Sequence, residues 1–88
     1  MQVGDPMKFS DLQFTALFDG VKAIVSFDNG YGASIVRHKH SYGGIEGLYE
    51  LAVTKNNKIT YDSPITDDVI GYLSEADVES YLNQIEIL

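Results

Sequence analysis

The chain has 88 residues and no cysteine, and its 13 acids against 6 bases give a net charge of −7 and a pI of about 4.4. Without cysteine there is no disulfide framework, thiolate nucleophile or Cys-ligated zinc, and no apolar run approaches the ~20 residues that cross a bilayer. With 44% apolar and 11% aromatic residues, the chain is expected to fold as a single domain over 1–88, flexible over 1–7, and to be cytoplasmic.

Residues 12–27 carry the first strong pattern. Leu12, Phe14, Ala16 and Phe18 occupy alternate positions, Asp19-Gly20 follows, and Val21, Ala23, Val25 and Phe27 alternate again. Asp-Gly between such runs predicts a hairpin with a two-residue type I′ loop. That loop pairs Phe18 with Val21, Ala16 with Ala23, Phe14 with Val25 and Leu12 with Phe27, all on one face. At Asp28-Asn29-Gly30 a three-residue loop with Gly30 in the αL region keeps the same face apolar, pairing Phe27 with Tyr31 and Val25 with Ala33. A two-residue Asn-Gly loop would turn Ala33 and Ile35 to the other face. The third strand then covers 31–38, with Val36 and Ile24 on the second face of the sheet.

Residues 39–47 hold three glycines (Gly43, Gly44, Gly47) without periodicity and read as a loop. Residues 48–54 alternate again, with Tyr49, Leu51 and Val53 inward and Glu50 outward. A three-residue loop Lys55-Asn56-Asn57, with Asn57 in αL, pairs Val53 with Ile59 and Leu51 with Tyr61. A two-residue Asn56-Asn57 loop would set Val53 against Thr60, so the longer loop is expected. Ser63-Pro64 ends the fifth strand, since proline cannot donate to a ladder. Residues 66–73 are ambiguous: Thr66 suits the start of a helical turn carrying Val69 and Ile70, while Gly71 weakens helix.

Ser74 opens a helix. Asp77 completes a capping box, Leu73 and Val78 are spaced as a hydrophobic staple, and Glu75 and Asp77 suit the positive end of the helix dipole. Val78, Tyr81, Leu82 and Ile85 form one stripe at i, i+3, i+4, i+7, with Ile87 off it. The predicted fold is α+β: an antiparallel meander of about four or five strands with one C-terminal helix packed on one face.

Charge is distributed unevenly. From Asp62 onward the chain has seven acids (Asp62, Asp67, Asp68, Glu75, Asp77, Glu79, Glu86) and no Lys or Arg. Such a field repels nucleic acid and steers a basic partner inward; its plainer reading is a solvated helix face. Six tyrosines (Tyr31, Tyr42, Tyr49, Tyr61, Tyr72, Tyr81) are many for this length. The register buries the rings of Tyr49, Tyr61 and Tyr81, and leaves Tyr42 and Tyr72 as interface anchors. Asp67, Asp68, Tyr72, Glu75, Asp77 and Glu79 are therefore the candidate partner-binding set, although Asp67 and Asp68 also suit helix capping.

The one basic cluster, Arg37-His38-Lys39-His40, runs into Ser41-Tyr42-Gly43-Gly44. On an extended chain His38 and His40 share a side, short of the three or four ligands zinc takes. Arg37 and Lys39, with His38, His40, Tyr42 and backbone N–H groups of Gly43 and Gly44, suit an anion or nucleotide. The plainer reading is a polar strand end whose bases pair with nearby acids. Gly30-Tyr31-Gly32 lacks the strand–loop–helix setting of a phosphate loop. No serine has a His/Asp arrangement around it, so neither catalysis nor a cofactor is expected.

The segments Asn29-Gly30-Tyr31-Gly32-Ala33-Ser34, Ser41-Tyr42-Gly43-Gly44, Gly47-Leu48-Tyr49-Glu50-Leu51-Ala52-Val53 and Thr66-Asp67-Asp68-Val69-Ile70-Gly71-Tyr72-Leu73 together resemble small uncharacterised proteins encoded in tailed-bacteriophage genomes. The resemblance spans roughly residues 20–86 and implies no activity, cofactor or site residue. It implies a setting, the cytoplasm of an infected bacterium, with replication, host takeover or defence evasion as roles. Three functions follow as expectations. The first is a non-enzymatic protein that binds a host or phage protein with a basic surface. The second is an anion- or nucleotide-binding module at Arg37–Gly44. The third is a self-associating structural component, such as a homodimer, joined through Ile24, Val36 and Ile87. Direct binding of nucleic acid or membrane is not expected.

Overall fold

The structure, a computed structural model, describes residues 7–66 and 68–88. The expected flexible start at 1–6 and the candidate Asp67 lie outside the described residues. Met7, grouped with that start by the sequence, instead packs against the core.

Strands β1 (Thr15–Leu17), β2 (Gly20–Ser26), β3 (Tyr31–Arg37), β4 (Tyr49–Lys55) and β5 (Lys58–Ile59) form an antiparallel meander. β6 (Ile70–Leu73) returns to pair with β4, and α1 (Glu75–Glu86) closes the fold. Alternation places Ala33, Ile35, Tyr49, Leu51 and Val53 on one face of the sheet, where Val78, Leu82 and Ile85 of α1 cover them. All of these side chains are buried, and half-buried Tyr81 packs beside them. The predicted α+β architecture holds. Among the described residues no helix covers the second face, where Ile24 is 64% exposed although Ala52 and Thr54 are buried.

The hairpin at Gly30 forms in the predicted register. Gly30 has φ +87°, Phe27 N–H donates to Tyr31 O at 2.8 Å, and Val25 pairs with Ala33. Two other hairpins differ. In the first, the loop is Phe18-Asp19, with Ala16 opposite Val21 and Leu17 opposite Gly20. Gly20 is a strand residue without positive φ, required because a Cβ there would collide with the Arg37 carbonyl at the end of β3. A slip of two preserves the faces but pushes Phe18 to the loop tip, fully exposed. Before Thr15 the chain leaves the ladder, and Phe14 packs against Tyr49 and Phe9, with ring centroids 5.7 and 5.6 Å away. The expected pairs Phe14–Val25 and Leu12–Phe27 therefore do not form.

The β4–β5 loop is the two-residue Asn56-Asn57, not the expected three-residue one. Both asparagines take positive φ, 52° and 69°, the pair of αL residues of a type I′ turn, whose twist matches that of the strands. Thr54 pairs with Ile59, and Thr60 N–H donates to Val53 O at 2.9 Å. Local turn geometry outweighs apolar pairing here, leaving Ile59 51% and Tyr61 58% exposed, so the expected burial of Tyr61 is not realised.

The ambiguous segment 66–73 ends as a strand. β5 and β6 run end to end along one edge of β4, with an excursion of the chain between them. Ser63 Oγ holds that excursion by accepting the N–H groups of Ile65 and Thr66, both at 3.3 Å, while Ile65 packs against the core.

Both ends of α1 are tied. At the N-terminus the predicted box forms: Ser74 Oγ accepts the Asp77 N–H and Asp77 Oδ2 accepts the Ser74 N–H, each at 3.1 Å. At the C-terminus, where no basic residue offsets the dipole, Asn29 of the β2–β3 loop supplies the cap. Its Nδ2 donates to the carbonyls of Ile85, Glu86 and Leu88 at 2.9, 3.1 and 3.2 Å, and its Oδ1 accepts the Tyr31 N–H at 2.9 Å.

Asn29→Ala should lower stability by about 1–2 kcal/mol, the cost of leaving several helix-end acceptors unpaired. Asn29→Asp should cost more, although it keeps the acceptor for Tyr31, because a carboxylate faces the negative helix end. Urea midpoints at unchanged m-value measure both. Phe18→Ser should change stability by less than about 0.5 kcal/mol, as expected of an exposed loop tip.

Candidate functional site

The register between β4 and β6 is irregular. Tyr49 pairs with Leu73 but Leu51 pairs with Ile70, so Gly71 and Tyr72 together stand opposite Glu50. This is a β-bulge, a device that bends an edge strand and re-aims a side chain. Tyr72 adopts φ +58°, a left-handed conformation that costs a non-glycine residue roughly 1–2 kcal/mol.

Tyr42, from the loop between β3 and β4, meets the bulge. Its carbonyl accepts the Tyr72 N–H at 3.1 Å, and its own N–H donates to Glu50 Oε1 at 2.8 Å. A Cβ at Gly71 would collide with the Tyr42 Cβ, so glycine is required for this approach. The two tyrosines that the sequence nominates as anchors are thus brought together, and both face solvent, at 59% and 61% exposure. Ile45, in the 3₁₀ turn Gly44–Glu46 of the same loop, is 82% exposed.

The loop is held by its own backbone. Ser41 N–H donates to His38 O, Gly44 N–H to Ser41 O, Glu46 N–H to Gly43 O, Gly47 N–H to Gly44 O and Leu48 N–H to Gly43 O, at 2.9–3.1 Å. Ser41 Oγ accepts the His38 N–H and donates to the His38 carbonyl, both at 2.9 Å. The exposed apolar groups therefore sit on a cross-linked frame, and the Gly44 N–H assigned to anion binding is already used.

The basic cluster is divided. Arg37 faces the helix side of the sheet, where its guanidinium lies 5.0 Å from the Tyr49 ring centroid and donates to Tyr49 Oη at 3.2 Å. His38 and His40 are not on an extended chain as the sequence suggests, because the backbone turns at His38. Their rings stand 6.5 Å apart, and His38 Nδ1 accepts the His40 N–H at 3.1 Å, which places the neutral ring's proton on Nε2. Asp19 Oδ1, 3.9 Å from that Nδ1, is beyond hydrogen-bond reach. Lys39 and His40 are exposed, and Gly43 is buried beneath Tyr72.

The acidic candidates that the structure describes differ in what they hold. Asp68 Oδ1 accepts the Val69 N–H at 2.8 Å, and Asp77 belongs to the capping box. Glu79 Oε1 accepts the Phe9 N–H at 2.6 Å, tying the 3₁₀ turn Phe9–Asp11 to the helix. Exposed Glu75 lines the shallow groove between them with Lys8 and Ser10. These contacts use carboxylate oxygens without cancelling charge: among the described residues, no Lys or Arg nitrogen lies within 4.0 Å of a carboxylate. Glu50, Gly71 and Ile45 are members of the site that sequence reasoning missed. The available signal was the spacing of Ile70 and Leu73, which breaks a period of two and implies an extra residue.

Comparison with protein-family models, with curated proteins and with solved structures finds no match.

Tyr72→Gly should leave stability within about 1 kcal/mol of the parent, because relief of αL strain offsets the added backbone entropy. Gly71→Ala should cost more than about 1 kcal/mol by forcing Tyr42 off the bulge, a local overpacking. Thermal and urea unfolding of the pair checks the contrast.

Proposed function

We propose that this is a non-enzymatic binding protein that engages a protein with a basic surface, the Tyr42–Tyr72 bulge being its anchor. The observation that carries this reading is a solvent-facing tyrosine held at φ +58° where glycine would be unstrained. Tyr72 covers Gly43, yet most of its surface stays in solvent, and backbone outliers of this kind concentrate at functional sites. Tyrosine is also a favoured interface anchor, offering rigid contact area at small entropic cost. Uncompensated negative charge supports a basic partner over nucleic acid, which the same field repels.

The resemblance to tailed-phage proteins supplies a setting for this reading. The protein is then an accessory factor in the cytoplasm of an infected bacterium, acting on a host or phage protein. A defence protein or a nucleic-acid-handling protein fits, since each presents the basic surface that an acidic protein occupies by competition. No helix among the described residues is long and apolar enough to cross a membrane.

The test is affinity capture from lysate of the host bacterium at low salt, where charge attraction is strongest, with the parent and Tyr72→Gly side by side. The reading predicts a protein retained by the parent, depleted on Tyr72→Gly and released as salt rises. Retention of nothing, or equal retention by both, overturns it.

A further inference from the structure

We infer that the Tyr42–Tyr72 bulge accepts an arginine side chain from its protein partner, stacked against the tyrosine rings with its guanidinium directed to Glu50. This rests on the protein-binding reading and specifies the chemistry that the same site recognises.

The fold itself shows what its tyrosines do with cations. Tyr49 carries the Arg37 guanidinium 5.0 Å from its ring centroid, and Tyr31 carries Lys55 Nζ at 5.2 Å. Among the described residues no cation lies over Tyr42 or Tyr72, the two exposed members at the bulge. At Arg37 the guanidinium combines a ring face with a hydrogen bond to an oxygen, Tyr49 Oη at 3.2 Å. The bulge offers the same two elements, ring faces and an oxygen acceptor, without a cation of its own.

Glu50 is that acceptor. Its Oε1 takes the Tyr42 N–H at 2.8 Å, and a carboxylate has about four lone-pair sites, so one amide does not saturate it. The nearest base along its row of the sheet is Lys22, two strands away across Val36, a separation of about 10 Å. Glu50 is half-buried as a residue, while its hydrogen bond to Tyr42 lies in solvent, so the carboxylate is open to a partner. Arginine fits better than lysine because a planar guanidinium stacks on a ring while presenting parallel N–H groups to a carboxylate. A lysine ammonium makes only one of these contacts well. The overall charge of −7 then steers the basic segment inward.

The test is an NMR titration of the ¹⁵N-labelled full chain with an alternating arginine–serine peptide and its lysine–serine counterpart of equal length and charge. Shifts should centre on the amides of Tyr42, Glu50 and Tyr72, with the arginine peptide bound roughly five-fold more tightly, the worth of a surface cation–π contact. Glu50→Gln, which keeps an acceptor for the Tyr42 N–H, and Tyr72→Gly should each abolish the preference for arginine. Equal affinity for the two peptides, shifts centred on the amides of α1, or no binding overturns the inference. If Tyr72-dependent capture from lysate succeeds while the arginine preference is absent, the arginine assignment fails and the binding reading stands. Absence of Tyr72-dependent capture removes the reading beneath it.

Discussion

The contact between the apolar face of β3 and β4 and the stripe on α1 is the interaction from which the remaining structure follows. Ile35, Leu51 and Val53 on the sheet, and Val78, Leu82 and Ile85 on the helix, are completely buried together. A helix of 12 residues is marginal in water by itself, so its existence depends on this packing. Its ends are tied accordingly, by Ser74 and Asp77 at the start and by Asn29 from a distant hairpin at the finish. Because one helix covers one face, the fold has two layers. The other face is covered only in part, with Ala52 and Thr54 buried but Ile24 exposed, and the bulge lies on the β6 edge.

The bulge illustrates how a small scaffold presents a surface without a cavity. Gly71 permits close approach, the Tyr42 carbonyl fixes the strained Tyr72 backbone, and Glu50 ties the loop to β4. Each contact immobilises groups that would otherwise lose side-chain entropy on binding. The carboxylates on and around α1 serve the fold through caps and backbone contacts while keeping their charge. Structural and steering roles are compatible in these residues, since accepting an N–H bond leaves a carboxylate negative.

The elements with dense local signals were legible. The Ser74 capping box, the Val78–Leu82–Ile85 stripe and the Gly30 loop form as their residue types require, because each is settled by neighbours within a turn or two of chain. The first hairpin was legible as a hairpin but not in its register. Asp19-Gly20 has the chemistry of a type I′ loop, yet Gly20 is required for a contact with Arg37, distant in sequence. At Asn56-Asn57 the turn preference overrode the apolar pattern, and Tyr61 became exposed. Tyr42 and Tyr72 were recognisable singly as exposed candidates, whereas Glu50 looked like an ordinary outward-facing strand residue.

Sequence alone determined the class of fold, the inward faces of β2, β3 and β4, the helix and its start, and the excess of negative charge, all properties of composition and short-range periodicity. Tertiary structure decided the register of β1 against β2, the return of β6 to β4, the capping of α1 by Asn29 and the meeting of Tyr42 with Tyr72. Each of those depends on close approach between residues far apart in the chain, where a single absent Cβ or one inserted residue outweighs local preference.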